Sequence, residues 1–223
     1  LISGVAACAK QINPRIQIIG VQAEGAPAIA NSFRTGERTP SDTVHTIADG
    51  IAVKTPGEKT FEYIKQYVDR VVTVSDDEIA SAVLLLLERC KQVVETSGAA
   101  PLAAVLNNKV DVKGKKVVCV LSGGNIDVSF IHKIVEKGLI TRCRQLKFSV
   151  LMPDAPGALE HFSHIVAQQN ANIILFQHDR VQTDLEIGEA IIHVVCEVGG
   201  VDHAKRLINT LTADGYKVFT SQI

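Results

Sequence analysis

Apolar and polar positions along the 223-residue chain change rhythm near residue 142. Before that point, stretches with helical spacing alternate with short, nearly continuous apolar runs. Residues 1–11 carry small and apolar side chains at helical spacing, and Asn13-Pro14 stops them. Residues 16–23 read as a buried strand, 26–33 as a short helix ended by Thr35-Gly36, and 38–57 as loop. Residues 60–67 predict a helix and 70–74 a β-branched strand. Ser75, with Glu78 three places on, has the form of a capping box, opening a helix expected to reach about Val94. Glu95 to Gly98 breaks that helix, and 99–106 predicts another. The apolar run 117–121 predicts a strand that leads through Ser122-Gly123-Gly124-Asn125 into a helix to Lys137. Helices alternating with apolar strands predict an α/β layer with a largely parallel sheet.

Beyond a linker at Cys143-Arg144-Gln145, strands alternate cleanly. Phe148, Val150 and Met152 mark one strand, and Leu159, Phe162, Ile165 and Val166 one helix face. Ile173, Leu175 and Gln177 start a second strand; Ala190, Ile192, Val194, Cys196 and Val198 form a third. Val201, Ala204, Leu207, Ile208 and Leu211 mark another helix, and Tyr216 and Val218 a last strand. The order β-α-β-β-α-β predicts a ferredoxin-like α+β module. The expected domains are residues 1–142 and 146–223.

Composition narrows the function classes. A formal net charge of −1 builds no field for nucleic acid or anionic membrane, and 4% aromatics with no Trp leave no base-stacking surface. No apolar run approaches the roughly 18 residues of a membrane span. The five cysteines are scattered, with no C-x-x-C pair, which fits a reducing cytoplasm and offers no zinc-ligand spacing. Leu1-Ile2-Ser3-Gly4 has neither an initiator Met nor a signal-like start, and reads as a chain entered within an element.

Three segments are candidates for chemistry. Ser122-Gly123-Gly124-Asn125 follows a predicted strand, at the carboxyl end where ligands gather in open α/β sheets; a tight strand-to-helix turn is the plainer reading. Glu95-Thr96-Ser97-Gly98-Ala99-Ala100 places a carboxylate before small residues, as a pocket wall or as a helix break with a solvated Glu. Ala48-Asp49-Gly50 is by itself a turn.

In order, the chain carries G-V-Q-A-E (20–24), I-A-D-G-I-A-V (47–53), V-S-D-D-E-I (74–79), V-E-T-S-G-A (94–99) and L-S-G-G-N-I-D (121–127). Together they resemble the C-terminal half of the catalytic domain of threonine dehydratases and serine racemases, enzymes of pyridoxal-phosphate fold type II. The resemblance implies a lyase using pyridoxal 5'-phosphate to deaminate L-threonine, and L-serine, to a 2-oxo acid and ammonia. It implies a cofactor site at Ser122, which would meet the pyridine nitrogen, with Gly123, Leu1 (the position closing the family's glycine-rich phosphate loop), Glu95 and Gly50. The family's aldimine lysine lies in an S-F-K-like segment that this chain does not contain. No catalytic residue is therefore expected here, and the chain alone is expected to be inactive, its first 140 residues folding poorly alone. Relatives that bind a divalent cation use carboxylates where this chain has Gln22 and Ala28, so no metal site is expected and a racemase is the less favoured reading.

The terminal module resembles an ACT domain through Met152-Pro153-Asp154-Ala155-Pro156-Gly157-Ala158-Leu159 and Asn172-Ile173. That resemblance implies an amino-acid effector held between paired modules of a homo-oligomer, dimer or tetramer, by Asp154, Gly157, Ala158, Leu159, Asn172 and Ile173. A dimerisation domain without a ligand, or a non-catalytic amino-acid-binding module, remains the alternative.

Overall fold

In a computed structural model, residues 1–180 and 186–220 are described, and they form two compact units, Leu1–Ile134 and Val135–Ile223. The division falls within a helix rather than after it. Among the described residues no helix is long and apolar enough to cross a membrane.

The first unit contains α1 (Ile2–Ile12), β1 (Ile19–Ala23), α2 (Ala28–Thr35), a single 3-10 turn at Asp49–Ile51, α3 (Glu58–Tyr67), β2 (Arg70–Val74), α4 (Asp76–Leu85) and α5 (Thr96–Leu106). β1 and β2 pair in parallel, Ile19 opposite Arg70 through Ala23 opposite Val74. Apart from Gln22 and Arg70, both strands are β-branched or apolar, as suits a parallel sheet on which helices pack. Val72, Val74, Ile79, Val83 and Leu86 build the core with Ala99, Ala100, Ala103 and Ala104 of α5. Small residues let α5 lie close to the sheet. α1 and α3, with its C-cap, meet in a second cluster at Ala6, Ile64 and Val68.

Ser75 caps α4 as its sequence predicts: its hydroxyl accepts from the Glu78 N–H, and the Glu78 carboxylate accepts from the Ser75 N–H. The helix does not reach Val94. It widens into one π-helical turn at Leu86–Cys90 and stops where Lys91 enters the left-handed region. The positive φ of Lys91 breaks the hydrogen-bond ladder, a backbone event that apolar periodicity does not register.

The expected strand at 117–121 is not formed. Those residues pair with no strand among the described residues, and Val117, Val118, Val120 and Leu121 are exposed, Val118 at 88%. An apolar run supplies strand propensity, but a strand exists only through a neighbour's N–H and C=O groups. After the S-G-G-N segment, α6 (Val128–Thr141) begins behind Asp127, whose carboxylate accepts from the Ser129 N–H. The Ser129 hydroxyl and N–H hold the Asp127 carboxyl below its ordinary range.

The second unit follows the order β3 (Gln145–Pro153), α7 (Ala158–Gln168), β4 (Asn172–Asp179), β5 (Glu189–Glu197), α8 (Val201–Ala213), β6 (Lys217–Phe219). The sheet order is β4-β5-β3-β6, antiparallel throughout. Leu146, Phe148, Val150 and Met152 of β3 alternate inward with Ala190, Ile192, Val194 and Cys196 of β5, under Phe162, Leu207 and Leu211. Burial pushes the Cys196 thiol up to about 12, so it stays protonated and serves as packing. Three positions depart from the sequence pattern. Leu159 and Val201 sit at helix starts and are each 45% exposed. In β4 a register shift between Ile173 and Leu175 turns Leu175 outward and brings Phe176 onto the core. One extra residue reverses the alternation after it.

Candidate functional site

The loop 45–52 is pinned before it reaches Gly50. Its Ile47 N–H donates to Asp76 Oδ2 at 3.1 Å, and the Thr46 hydroxyl donates to the same carboxylate. The Thr96 hydroxyl donates to the Ile47 carbonyl at 2.8 Å, tying the loop to the start of α5. Asp49 Oδ1 then accepts from the Gly50 N–H at 2.8 Å and closes the turn. Gly50 thus rests against α5: a Cβ there would lie 2.9 Å from Ser97 Oγ and 3.3 Å from Glu95 Oε1.

The segment 122–125 reaches the same place from the other side. The Glu95 N–H donates to the Gly123 carbonyl and the Asn125 N–H to Glu95 Oε2, each at 3.3 Å. Gly123 has φ +79 and packs against the Glu95 carboxylate, so both its conformation and its lack of a side chain are required. Gly98 on α5 touches the Ser122 carbonyl so closely that any Cβ would overlap it. Ser122 is partly exposed.

Gly50, Glu95, Ser122 and Gly123, far apart in sequence, are therefore brought together. Leu1, the N-cap of α1, is 78% exposed and enters none of these contacts. Ser97 also belongs to the cluster; the sequence placed it in a candidate segment but gave it no role of its own. It is 8% exposed, and among the described residues its Oγ is the buried side-chain polar atom without a hydrogen-bond partner. The small-residue run T-S-G-A-A hinted at close packing but not at which hydroxyl would be stranded. The cluster holds a carboxylate, two serines and glycine positions free of side chains, a set whose chemistry suits a flat heteroaromatic ring bearing polar atoms.

Gln22, in β1, is buried, and its Oε1 accepts from the Ala30 N–H at 3.0 Å. No group of three or more His, Cys, Asp or Glu side chains suited to a metal occurs among the described residues.

In the second unit the candidate effector residues form two groups. Asp154, Gly157, Ala158 and Leu159 lie at the turn after β3, where Gly157 (φ +88) starts α7 and Arg180 Nε stands 3.2 Å from Asp154 Oδ1. Asn172 and Ile173 open β4 at the other end of the sheet, with Asn172 Nδ2 donating to Glu197 Oε2 at 3.2 Å. β3 and β4 both run antiparallel to β5, so the end of one and the start of the other face opposite ways. Within one copy the two groups are not brought together. Asn172 instead lines a groove of about 380 Å³ with Arg144, Glu197 and His203.

Comparison with known proteins gives one consistent result. Residues 1–123 match the family described as pyridoxal-phosphate dependent enzyme. An L-threonine ammonia-lyase of Thermotoga maritima is 45% identical over 218 residues, covering 98% of this chain and 54% of that protein. The chain thus spans about half the length of that relative. Among solved structures, the processed form of threonine deaminase isoform 2 from Solanum lycopersicum has a TM-score of 0.56 at 37% identity, covering 61% of this chain and 38% of that one. Maize serine racemase has a TM-score of 0.55 at 35% identity, covering 62% and 44%.

Proposed function

The chain belongs to the pyridoxal-phosphate dependent enzyme family, and on that premise we propose that the protein containing it deaminates L-threonine, and L-serine, to a 2-oxo acid and ammonia. The observation that carries this reading is the similarity to L-threonine ammonia-lyase along 98% of the chain, with the Gly50–Glu95–Ser122–Gly123 cluster inside the matched region. Pyridoxal phosphate, when bound, supplies the electron-withdrawing ring on which the α-proton and the β-hydroxyl of the substrate are lost.

The chain's own residues bind and orient. The Ser122 hydroxyl would partner the ring nitrogen; as a neutral group it would leave that nitrogen largely unprotonated. Gly50 and Gly123 would keep side chains away from the ring, and Glu95, whose carboxylate accepts from the Asn125 N–H, would stand beside it. α1 opens at Leu1 with free N–H groups of the kind that donate to phosphate oxygens. The cluster contains no lysine. The amine that anchors the cofactor and moves the α-proton would come from another segment of the protein. Gln22 is committed to the Ala30 N–H and Ala28 carries no carboxylate, so racemisation supported by a cation is less favoured. The five free cysteines suit a reducing cytoplasm.

The second unit reads as an ACT-type regulatory module. Its element order and sheet order support that reading, as does the Gly157 turn. β4 is an edge strand, and two copies paired antiparallel along it would bring Asn172 of one beside residues 154–159 of the other, where an amino acid would bind in a homo-oligomer.

The test of the enzymatic reading is the visible absorbance of the purified protein with pyridoxal phosphate, followed by 2-oxobutanoate release from threonine. A bound-cofactor band and oxo-acid release are expected; absence of both overturns it. For the module, a melting-temperature rise with a branched-chain amino acid is expected, because a ligand that binds only the native state stabilises it. No shift with any amino acid removes the regulatory role.

A further inference from the structure

Ser97 is the second residue of α5 and lies within a run of small buried residues, Thr96 to Ala100. Its neighbour Thr96 spends its hydroxyl on the Ile47 carbonyl. Ser97 has no such use. Its Oγ is shut away from water and unpartnered, and it faces Gly50 from the same side as Glu95 Oε1. A stranded hydroxyl is a net cost to a fold, and buried polar groups in native proteins are almost always satisfied. An alanine would pack as well among Gly98, Ala99 and Ala100 and would carry no such cost. The hydroxyl has a rationale only if something else completes it, and the segment it lies against is Gly50, beside the Glu95 carboxylate.

We infer that Ser97 is a further binding residue of this site, its hydroxyl hydrogen-bonding a polar atom of bound pyridoxal phosphate. The inference rests on the cofactor reading above and adds to it a residue at the α5 start, distinct from Ser122 on the opposing segment. It makes two opposed demands on one substitution. Removing an orphan hydroxyl relieves the empty protein, while removing a ligand contact weakens the loaded one.

The experiment compares wild type with Ser97→Ala in the purified protein containing this chain. It measures the melting temperature without cofactor and the dissociation constant for pyridoxal phosphate by absorbance titration. The expected result is an unchanged or higher melting temperature without cofactor, together with roughly five- to tenfold weaker binding and a displaced absorption band. A lower melting temperature without cofactor overturns the inference, because the hydroxyl then has a partner within the protein. Unchanged affinity and an unchanged band overturn it as well. If wild type itself shows no cofactor band, the cofactor reading fails first; if wild type binds and Ser97→Ala binds equally, only the assignment of Ser97 fails.

Discussion

The two units solve opposite packing problems. The second fills space: Leu146, Val150, Ile192, Val194, Phe162, Leu207 and Leu211 are large side chains, each at most 2% exposed, on an alternating antiparallel sheet under two helices. The first, at its site, empties space. Gly50, Gly98 and Gly123 matter there through the Cβ atoms they lack, and the nearby core of α5 is alanine. Side-chain volume stabilises one region, and close backbone approach shapes the other. A stability defect and a binding defect should therefore be separable by region.

The largest expected effect tests the filled region. Phe162→Ala leaves a cavity and should cost about 3–5 kcal/mol in the second unit, read as lost hydrogen-exchange protection at β3 and β5. Pyridoxal phosphate absorbance should survive; its loss would mean that the two units melt as one and the contrast is false. Gly98→Ala tests the emptied region. A methyl there meets the Ser122 carbonyl, a backbone atom that cannot swing away, so the cost should lie near the top of about 1–3 kcal/mol. Cofactor uptake should be lost while β3 and β5 amides stay protected. Normal uptake would show that the 122–125 segment is free to retreat.

Smaller effects sharpen the comparison within the first unit. Ser75→Ala removes the capping box of α4 and should cost about 1 kcal/mol in a melt. Asp69→Asn should cost less than about 1 kcal/mol, because the carboxylate is partly solvated. Burial raises the Asp69 carboxyl's pKa, but the hydrogen bond and charge of Lys10 and the Ile18 N–H outweigh it and hold it below the ordinary value. A carboxyl depressed in the folded state stabilises above its unfolded pKa and loses that contribution as pH falls. The difference from Asp69→Asn should be complete at neutral pH and fade below about pH 4. A difference that grew on acidification would reverse the sign of the Lys10–Asp69 contact.

Legibility differed in the same way. In β3 and β5 the alternation of Phe148, Val150, Met152, Ile192, Val194 and Cys196 was readable because each residue's face depends only on its parity. It failed in β4, where an extra residue at Ile174 breaks that parity. It failed also at 117–121, where apolar residues announced a strand that no neighbour completes. Of the site, the ordered motifs marked Gly50, Glu95, Ser122 and Gly123. Ser97 lay in a marked segment, but its role was unreadable, because nothing in a run of small residues distinguishes a satisfied hydroxyl from a stranded one.

The sequence by itself determined what depends on local chemistry: the Ser75–Glu78 cap, the element order of the second unit, the periodic cores, and the ordered motifs of a pyridoxal-phosphate dependent enzyme. Tertiary structure alone decided what depends on neighbours. It seated the turn at Gly50 against Glu95 and Ser97 across more than forty residues of chain, and it placed Asp154 and Asn172 at opposite ends of one sheet. The physical reason is that a cap or a periodicity is closed within a few residues. A hydrogen bond partner, an overlap or an empty space is a property of two distant segments, and only the fold brings them into the same place.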